Sequence, residues 1–186
     1  MKKIMFFIIF LFAITVVSNA QKIFYTKSGY VGFFSSTPLE NIDARNNQVV
    51  SFLKTGDGSL NFGLLVKSFK FKNALMEEHF NENYAESDKY PKAKFKGKIL
   101  NIDEIDFDKP GKYTAKVEGK LTFHGVTNPI KLDDVQLEVD GVEVKGKATF
   151  KVKPEDYNIK IPSVVRGKIA KEITVKVDMD YKLYKK

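Results

Sequence analysis

Few residues in this chain could act chemically on a substrate, and their spacing argues against most of the options. The 186 residues contain no Cys and only two His, His79 and His124. A metal centre needs three or four convergent ligands, and neither His-x-His nor Glu-x-x-His spacing occurs. A Ser-His-Asp unit could be drawn around His124, since acids are plentiful. However, no nucleophile-elbow motif accompanies it. No sequence motif therefore demands catalysis, and two His on different elements argue against a metal site. His124 reads instead as a ring at a strand end, hydrogen-bonded across the bend that follows. His79 reads as one flank of a helix.

The elements that must position these residues are mostly strands. From Lys112 to His124 the odd positions are apolar or small (Tyr113, Ala115, Val117, Gly119, Leu121, Phe123) and the even positions are polar. Successive strand side chains point to opposite faces, so a period of two gives one dry and one wet face. At about 3.4 Å per residue this strand would reach roughly 44 Å, a length suited to a tilted barrel strand. Gly125 to Pro129 is expected to bend the chain, because Pro sits poorly in a ladder. Alternation then resumes at Ile130 and Leu132.

The other elements follow from the same rule. Lys22–Lys27 and Gly29–Ser35 read as two short strands and Pro38–Asn47 as a loop. Gln48–Lys54 and Ser59–Lys67 form a hairpin across the glycine-containing turn at 55–58. Met76, Phe80 and Tyr84 recur every four residues, so Ala74–Ser87 is expected to be an amphipathic helix of about three turns. Asn73 is its N-cap. Lys92–Asn101 is a strand, Asp103–Lys109 an acidic loop, and Val135–Val139 with Val142–Lys153 a hairpin across Asp140-Gly141. Pro154–Ser163 is a loop and Ile173–Tyr184 the last strand. About nine strands and one helix predict an all-β, lipocalin-like antiparallel barrel of about eight strands, since closure removes sheet edges. Such a barrel is just wide enough for one small ligand.

The N-terminus reads as a targeting segment. Lys2 and Lys3 precede the apolar run Ile4–Val17, and Ser18-Asn19-Ala20 offers small residues where a signal peptidase cuts. The run is shorter than the ~20 apolar residues of a spanning helix. Residues 1–20 are therefore expected to be a cleaved signal peptide, and 21–186 a single domain that is exported, periplasmic or secreted. Without Cys there is neither a lipid-modified cysteine nor a disulfide. The net charge is +8 and there are 16 Phe, four of which lie in the leader. The Lys residues stand singly at alternate strand positions, such as Lys92, Lys94, Lys96 and Lys98. This is a solvated sheet face and not a nucleic-acid footprint. The charge better suits a transient contact with anionic lipid headgroups.

The inward-facing set would comprise Phe62, Leu64, Val66, Phe95, Ile99, Tyr113, Val117, Leu121, Phe123, Val144, Ala148, Phe150, Val175, Val177 and Met179. Apolar faces usually pack, so by themselves these residues favour a solid core over a cavity wall.

Several stretches tip that balance. Leu121-Thr122-Phe123-His124-Gly125-Val126-Thr127 with Pro129, His79-Phe80 followed by Lys89-Tyr90-Pro91-Lys92-Ala93-Lys94-Phe95, and the closing Ile173-Thr174-Val175-Lys176-Val177 resemble the YceI-like polyisoprenoid-binding family in order and spacing. The chain departs from the family at Lys153–Ile159. There Asp156 and an aromatic remain, but the Arg and Gly of an Arg-x-Asp-Phe-Gly-like motif do not. The resemblance implies a hollow barrel whose cargo is a polyisoprenoid, a quinone or its precursor, or a fatty-acid-like lipid. It implies no other cofactor, and it leaves the oligomeric state open, a dimer included. Tyr84, His124, Asp156 and Tyr157 are then candidate headgroup contacts, with Tyr113 a further polar group. The helix is a candidate cover for one mouth, and Gly56 and Gly58 could loosen the other end. Burying ~30 carbons at ~0.8 kcal/mol each would exceed the practical affinity ceiling of about 18–21 kcal/mol. The cargo's alternative is a bilayer that is equally apolar, so selectivity must come from chain length, shape and the headgroup. Two rivals stand beside this reading: an enzyme acting on an apolar substrate in the same cavity, and an envelope-surface structural protein with a filled barrel.

Overall fold

A computed structural model describes residues 21–185. The expected signal segment lies outside the described residues. Nine strands are formed: β1 (Ile23–Ser36), β2 (Asn41–Lys54), β3 (Ser59–Leu65), β4 (Lys70–Phe71), β5 (Lys92–Ile99), β6 (Gly111–Phe123), β7 (Val126–Val139), β8 (Glu143–Val152) and β9 (Ile173–Leu183). All pairings are antiparallel, and the sheet order β1-β9-β8-β7-β6-β5-β3-β2 closes through β1–β2. The result is an up-and-down barrel of eight strands. The two-residue β4 extends the edge of β2 that β3 leaves free.

Three expectations change. The two short strands before Ser36 are one strand, because register shifts between Thr26 and Val31 absorb the Lys27-Ser28-Gly29 interruption without ending the ladder. The polar stretch Pro38–Asn47 is mostly the first half of β2. There Ala44 and Asn46 are fully buried, and the Asn46 side-chain amide donates to the Leu65 carbonyl at 3.0 Å, filling the gap between β3 and β4. Polar composition hid a strand whose inner face rests on a small residue and a satisfied amide. Third, Gly125–Pro129 is no bend. His124 (φ 49°) and Gly125 (φ 75°) make a two-residue hairpin turn, as two positive φ values allow. Pro129 sits within β7 opposite Lys120.

The helix begins where expected. Asn73 Oδ1 accepts from the amides of Leu75 (2.9 Å) and Met76 (3.4 Å), and α1 spans Ala74–His79. The next turn, Phe80–Tyr84, widens to a π-helix. Here Asn81 turns its side-chain amide onto the Glu77 carbonyl, 2.8 Å away, competing for an acceptor of the regular ladder.

The barrel's two ends differ. Phe24, Val49, Leu53, Val139, Val144 and Met179 pack solidly at one end. That end is plugged from the 103–109 segment by Ile105 and Phe107, Phe107 lying 6.0 Å from Phe24 between ring centroids. Gly58 (φ 70°) tucks against the Ile99 carbonyl there, and its own carbonyl accepts from the Ile99 amide at 2.9 Å.

Candidate functional site

The other end is hollow. A cavity of about 500 Å³ opens between α1 and the segment from Pro154 to Ile169, within the range of about 300–1,000 Å³ typical of small-ligand sites. Its wall is overwhelmingly apolar. A cluster of four phenylalanines forms the side under the helix: Phe33 lies 5.2 Å from Phe69, 5.7 Å from Phe71 and 5.3 Å from Phe80.

Strand alternation aims the wall residues. Phe62 and Leu64 come from β3, Leu121 and Phe123 from β6, Phe150 from β8, Val175 and Val177 from β9, and Tyr84 and Tyr157 from the two lips. Phe95, Ile99, Val117 and Met179 face inward one level deeper, around a second space of about 60 Å³. The two spaces share Phe62, Leu121, Phe150 and Val177. The floor beside this waist is built on glycine. Phe62 and Phe95 stack at 4.8 Å and 16°, and the Phe95 ring lies over the cross-strand pair Gly97 and Gly119. A Cβ at either glycine would come within 2.7 or 2.5 Å of that ring.

Other expected wall residues are elsewhere. Val144 is fully buried in the solid end, and Val66 packs with Ala85 and Ala93 in a small separate core. Tyr113 is half-buried, its hydroxyl donating to the Asp106 carbonyl at 3.3 Å. Val66 lies just past the end of β3, in a 3-10 turn where alternation no longer applies. Val144 and Tyr113 face inward as alternation requires, but a strand crosses both the packed and the hollow level. Period two fixes the face and not the level.

His124 and Asp156 also stand off the cavity. His124 holds the two lips together. Its Nδ1 donates to the Tyr157 carbonyl at 2.8 Å, and Nε2 meets Glu86 Oε2 at 2.7 Å. Tyr90 packs edge-on against it at 4.6 Å, and both His124 and Glu86 adopt positive φ. Asp156 is exposed, and its backbone carbonyl accepts from Asn128 at 2.6 Å. Tyr157 borders the cavity and its buried hydroxyl has no protein partner. Burial pushes its pKa up and Asp156 adds to the rise; the neighbouring Asn128 amide pulls the other way, but its hydrogen bond is directed to the Asp156 carbonyl and not to the phenol. At the solid end Tyr181 Oη meets Ser51 Oγ at 2.8 Å. Burial pushes this phenol up to about 12, against the pull of the Ser51 hydrogen bond.

The sequence reading missed much of the wall: Val31, Phe33, Phe69, Phe71, Ile159, Ile161, Val165 and Ile169. Phe33, within the strand assigned to Gly29–Ser35, had a signal in its alternation with Val31 and Ser35. The residues after Pro154 lie in irregular chain with no period to read. Among the described residues no group of three or more His, Asp or Glu gathers as a metal site, and no helix is long and apolar enough to cross a membrane.

An up-and-down antiparallel barrel, solid at one end and lined with apolar side chains at the other, has the build of a ligand-holding barrel. The YceI-like domain model matches residues 17–181. The chain belongs to the YceI-like family. No curated protein matches it. Among solved structures it is similar to a polyisoprenoid binding domain from Saccharophagus degradans, implicated in plant cell wall breakdown (TM-score 0.75, 13% identity, 87% of this chain and 98% of that one). It is also similar to Burkholderia cenocepacia BcnA (TM-score 0.60, 15% identity, 82% and 95%). A third is the Campylobacter jejuni YCEI protein (TM-score 0.55, 17% identity, 77% and 85%). At these identities the likeness is one of fold.

Proposed function

We propose that this chain is an exported carrier that holds a polyisoprenoid or similar amphiphilic lipid, such as a quinone or its precursor, in the hollow end of the barrel. The observation that carries the reading is the continuous apolar wall around a cavity of about 500 Å³. A space of that size lined by aromatic and aliphatic side chains is stable when an apolar chain fills it. The role is binding without turnover: His124 is engaged on both ring nitrogens, away from the cavity. The cargo's polar end would sit at the mouth, where the Tyr157 hydroxyl lacks a partner and Glu40, His79 and Lys168 border the opening. The likeness to a polyisoprenoid binding domain supports the class of cargo.

The test is organic extraction of the mature protein purified from its native host, with mass spectrometry of the extract. A stoichiometric polyprenyl or quinone species is expected. Extracts that match a blank, together with no uptake of added prenyl lipid, would overturn the proposal. Val175→Trp, which places an indole in the cavity, should weaken uptake at least about tenfold while leaving the protein folded.

A further inference from the structure

The barrel wall has one short seam. β7 is laddered to β6 from Val126 to Val139, and β8 to β9 from Glu143 to Val152. Between them only Gln136–Val139 and Val144–Lys147 pair. Over Val126–Val135 of β7 and Ala148–Val152 of β8 the facing edges have no strand partner; the Val126 end of β7 is bridged instead by the Asn128 hydrogen bond to the Asp156 carbonyl, so the opening lies below it. Two strand edges that face one another unpaired leave a slot in the wall, since a closed ladder holds neighbours about 4.8 Å apart.

Two independent features agree with the slot. Pro129 lies within β7 at this level, and an edge is where a strand tolerates Pro. Inward positions along β7 also change character at the seam. Val135, Leu137 and Val139 are buried, whereas Ile130 and Leu132 are only partly so. On β8, Val144 and Gly146 are buried and Ala148 and Phe150 are not. The space of about 60 Å³ beneath the main cavity is bounded by these slot residues and shares four wall residues with that cavity. One charged side chain borders it, Lys147, and this is held by Asp178 at 3.1 Å.

Resting on the carrier reading above, we propose that the β7–β8 slot is a second apolar subsite. It takes the distal end of an isoprenoid chain too long for the main cavity and lets that end run out through the barrel wall. The cargo class is then set by chain length: the main cavity holds the head-proximal part, and the waist at Phe62, Leu121, Phe150 and Val177 passes the tail to the slot. A flexible apolar chain suits the slot because its inner lining is apolar apart from Lys147, which Asp178 holds.

The experiment loads the mature chain from detergent with farnesol or with solanesol, a short and a long prenyl alcohol, and reads occupancy by native mass spectrometry. Ala148→Trp and Ile130→Trp each plug the slot from one lip, and neither residue borders the main cavity. Using both keeps the test decisive if one fails to fold. In the wild type both alcohols should bind. In the variants farnesol should hold within about twofold and solanesol should weaken about tenfold or more. Equal retention of both alcohols in a folded variant overturns the slot. Binding of farnesol but not solanesol by the wild type overturns the slot and leaves the carrier reading standing. Failure of the wild type to bind either alcohol overturns both.

Discussion

The two ends of this barrel are made from the same strands and the same residue types, yet one is a core and the other a container. Along β6, Ala115 and Val117 are buried, while Leu121 and Phe123, on the same face, are only partly covered. β9 runs the other way, from Ile173, Val175 and Val177 at the cavity to Met179 and Tyr181 in the core. The packed end has its plug, Ile105 and Phe107, delivered by a loop. The open end has a short helix and an irregular segment in place of a plug. What separates a core from a cavity here is what covers the end of the barrel, not how apolar the wall is.

The largest test of this contrast is to remove a ring from each end. Phe24→Ala, in the packed end, should lower stability by about 3–5 kcal/mol through lost transfer energy plus a new void. Phe33→Ala, beside a space that already exists, should lose only the transfer contribution, about 1–2 kcal/mol. Urea unfolding of both variants reads the difference, and equal losses would break the comparison.

The next tests a polar pair inside the packed end. The folded-state pKa of Tyr181 is raised to about 12, above the unfolded value of about 10. Its contribution is therefore fully present below pH 10 and lost as pH rises through 12, because the unfolded chain ionises first. The loss should be on the order of 2 kcal/mol. Unfolding followed from pH 9 to pH 12 should fall more steeply for the wild type than for Tyr181→Phe, which keeps the ring but cannot ionise.

At the open end the sign reverses. The Tyr157 hydroxyl is buried without a partner, a state that costs about 1–3 kcal/mol. Tyr157→Phe should therefore raise the melting temperature of cargo-free protein, by about 1 kcal/mol in stability. If the hydroxyl meets the cargo's polar end, the same variant should hold lipid less tightly. Paired thermal melts with and without lipid measure both.

The smallest effect belongs to the helix over the mouth. Glu77 is held below the usual carboxylate range, first by its hydrogen bond to Lys70 and then by the Phe71 amide. Its contribution is present above the ordinary pKa of 4.5 and lost as pH falls through the lower folded value. Being partly exposed, the interaction should amount to no more than about 1 kcal/mol. Glu77→Gln should speed amide hydrogen exchange in α1 at neutral pH and leave that exchange less sensitive to acidification than in the wild type.

Much of the fold was legible because alternation is local. The barrel class, the cap at Asn73, the Asp140-Gly141 hairpin and the face assignments of β3, β5, β6, β8 and β9 all follow from residues a few positions apart. The site was legible in part. Phe62, Leu64, Leu121, Phe123, Phe150, Val175 and Val177 line the cavity, but Val66, Tyr113 and Val144 do not: Val66 falls in the 3-10 turn after β3, and for the other two depth along the barrel axis depends on strand tilt and register. His124 was placed correctly at a strand end, but its partners, Glu86 and the Tyr157 carbonyl, lie 38 and 33 residues away and no local pattern names them.

By itself the sequence determined strands with one dry and one lysine-studded face, since a period of two sends successive side chains to opposite sides, and the number of those strands and their hairpin links predicted a closed antiparallel barrel. Tertiary structure alone decided which half of that interior is full. It set Ile105 and Phe107 under one end, spread the residues after Pro154 beside the other, and ended the β7–β8 ladder after four pairs. Those choices depend on how long segments close over the barrel, a property of the whole chain's path in space.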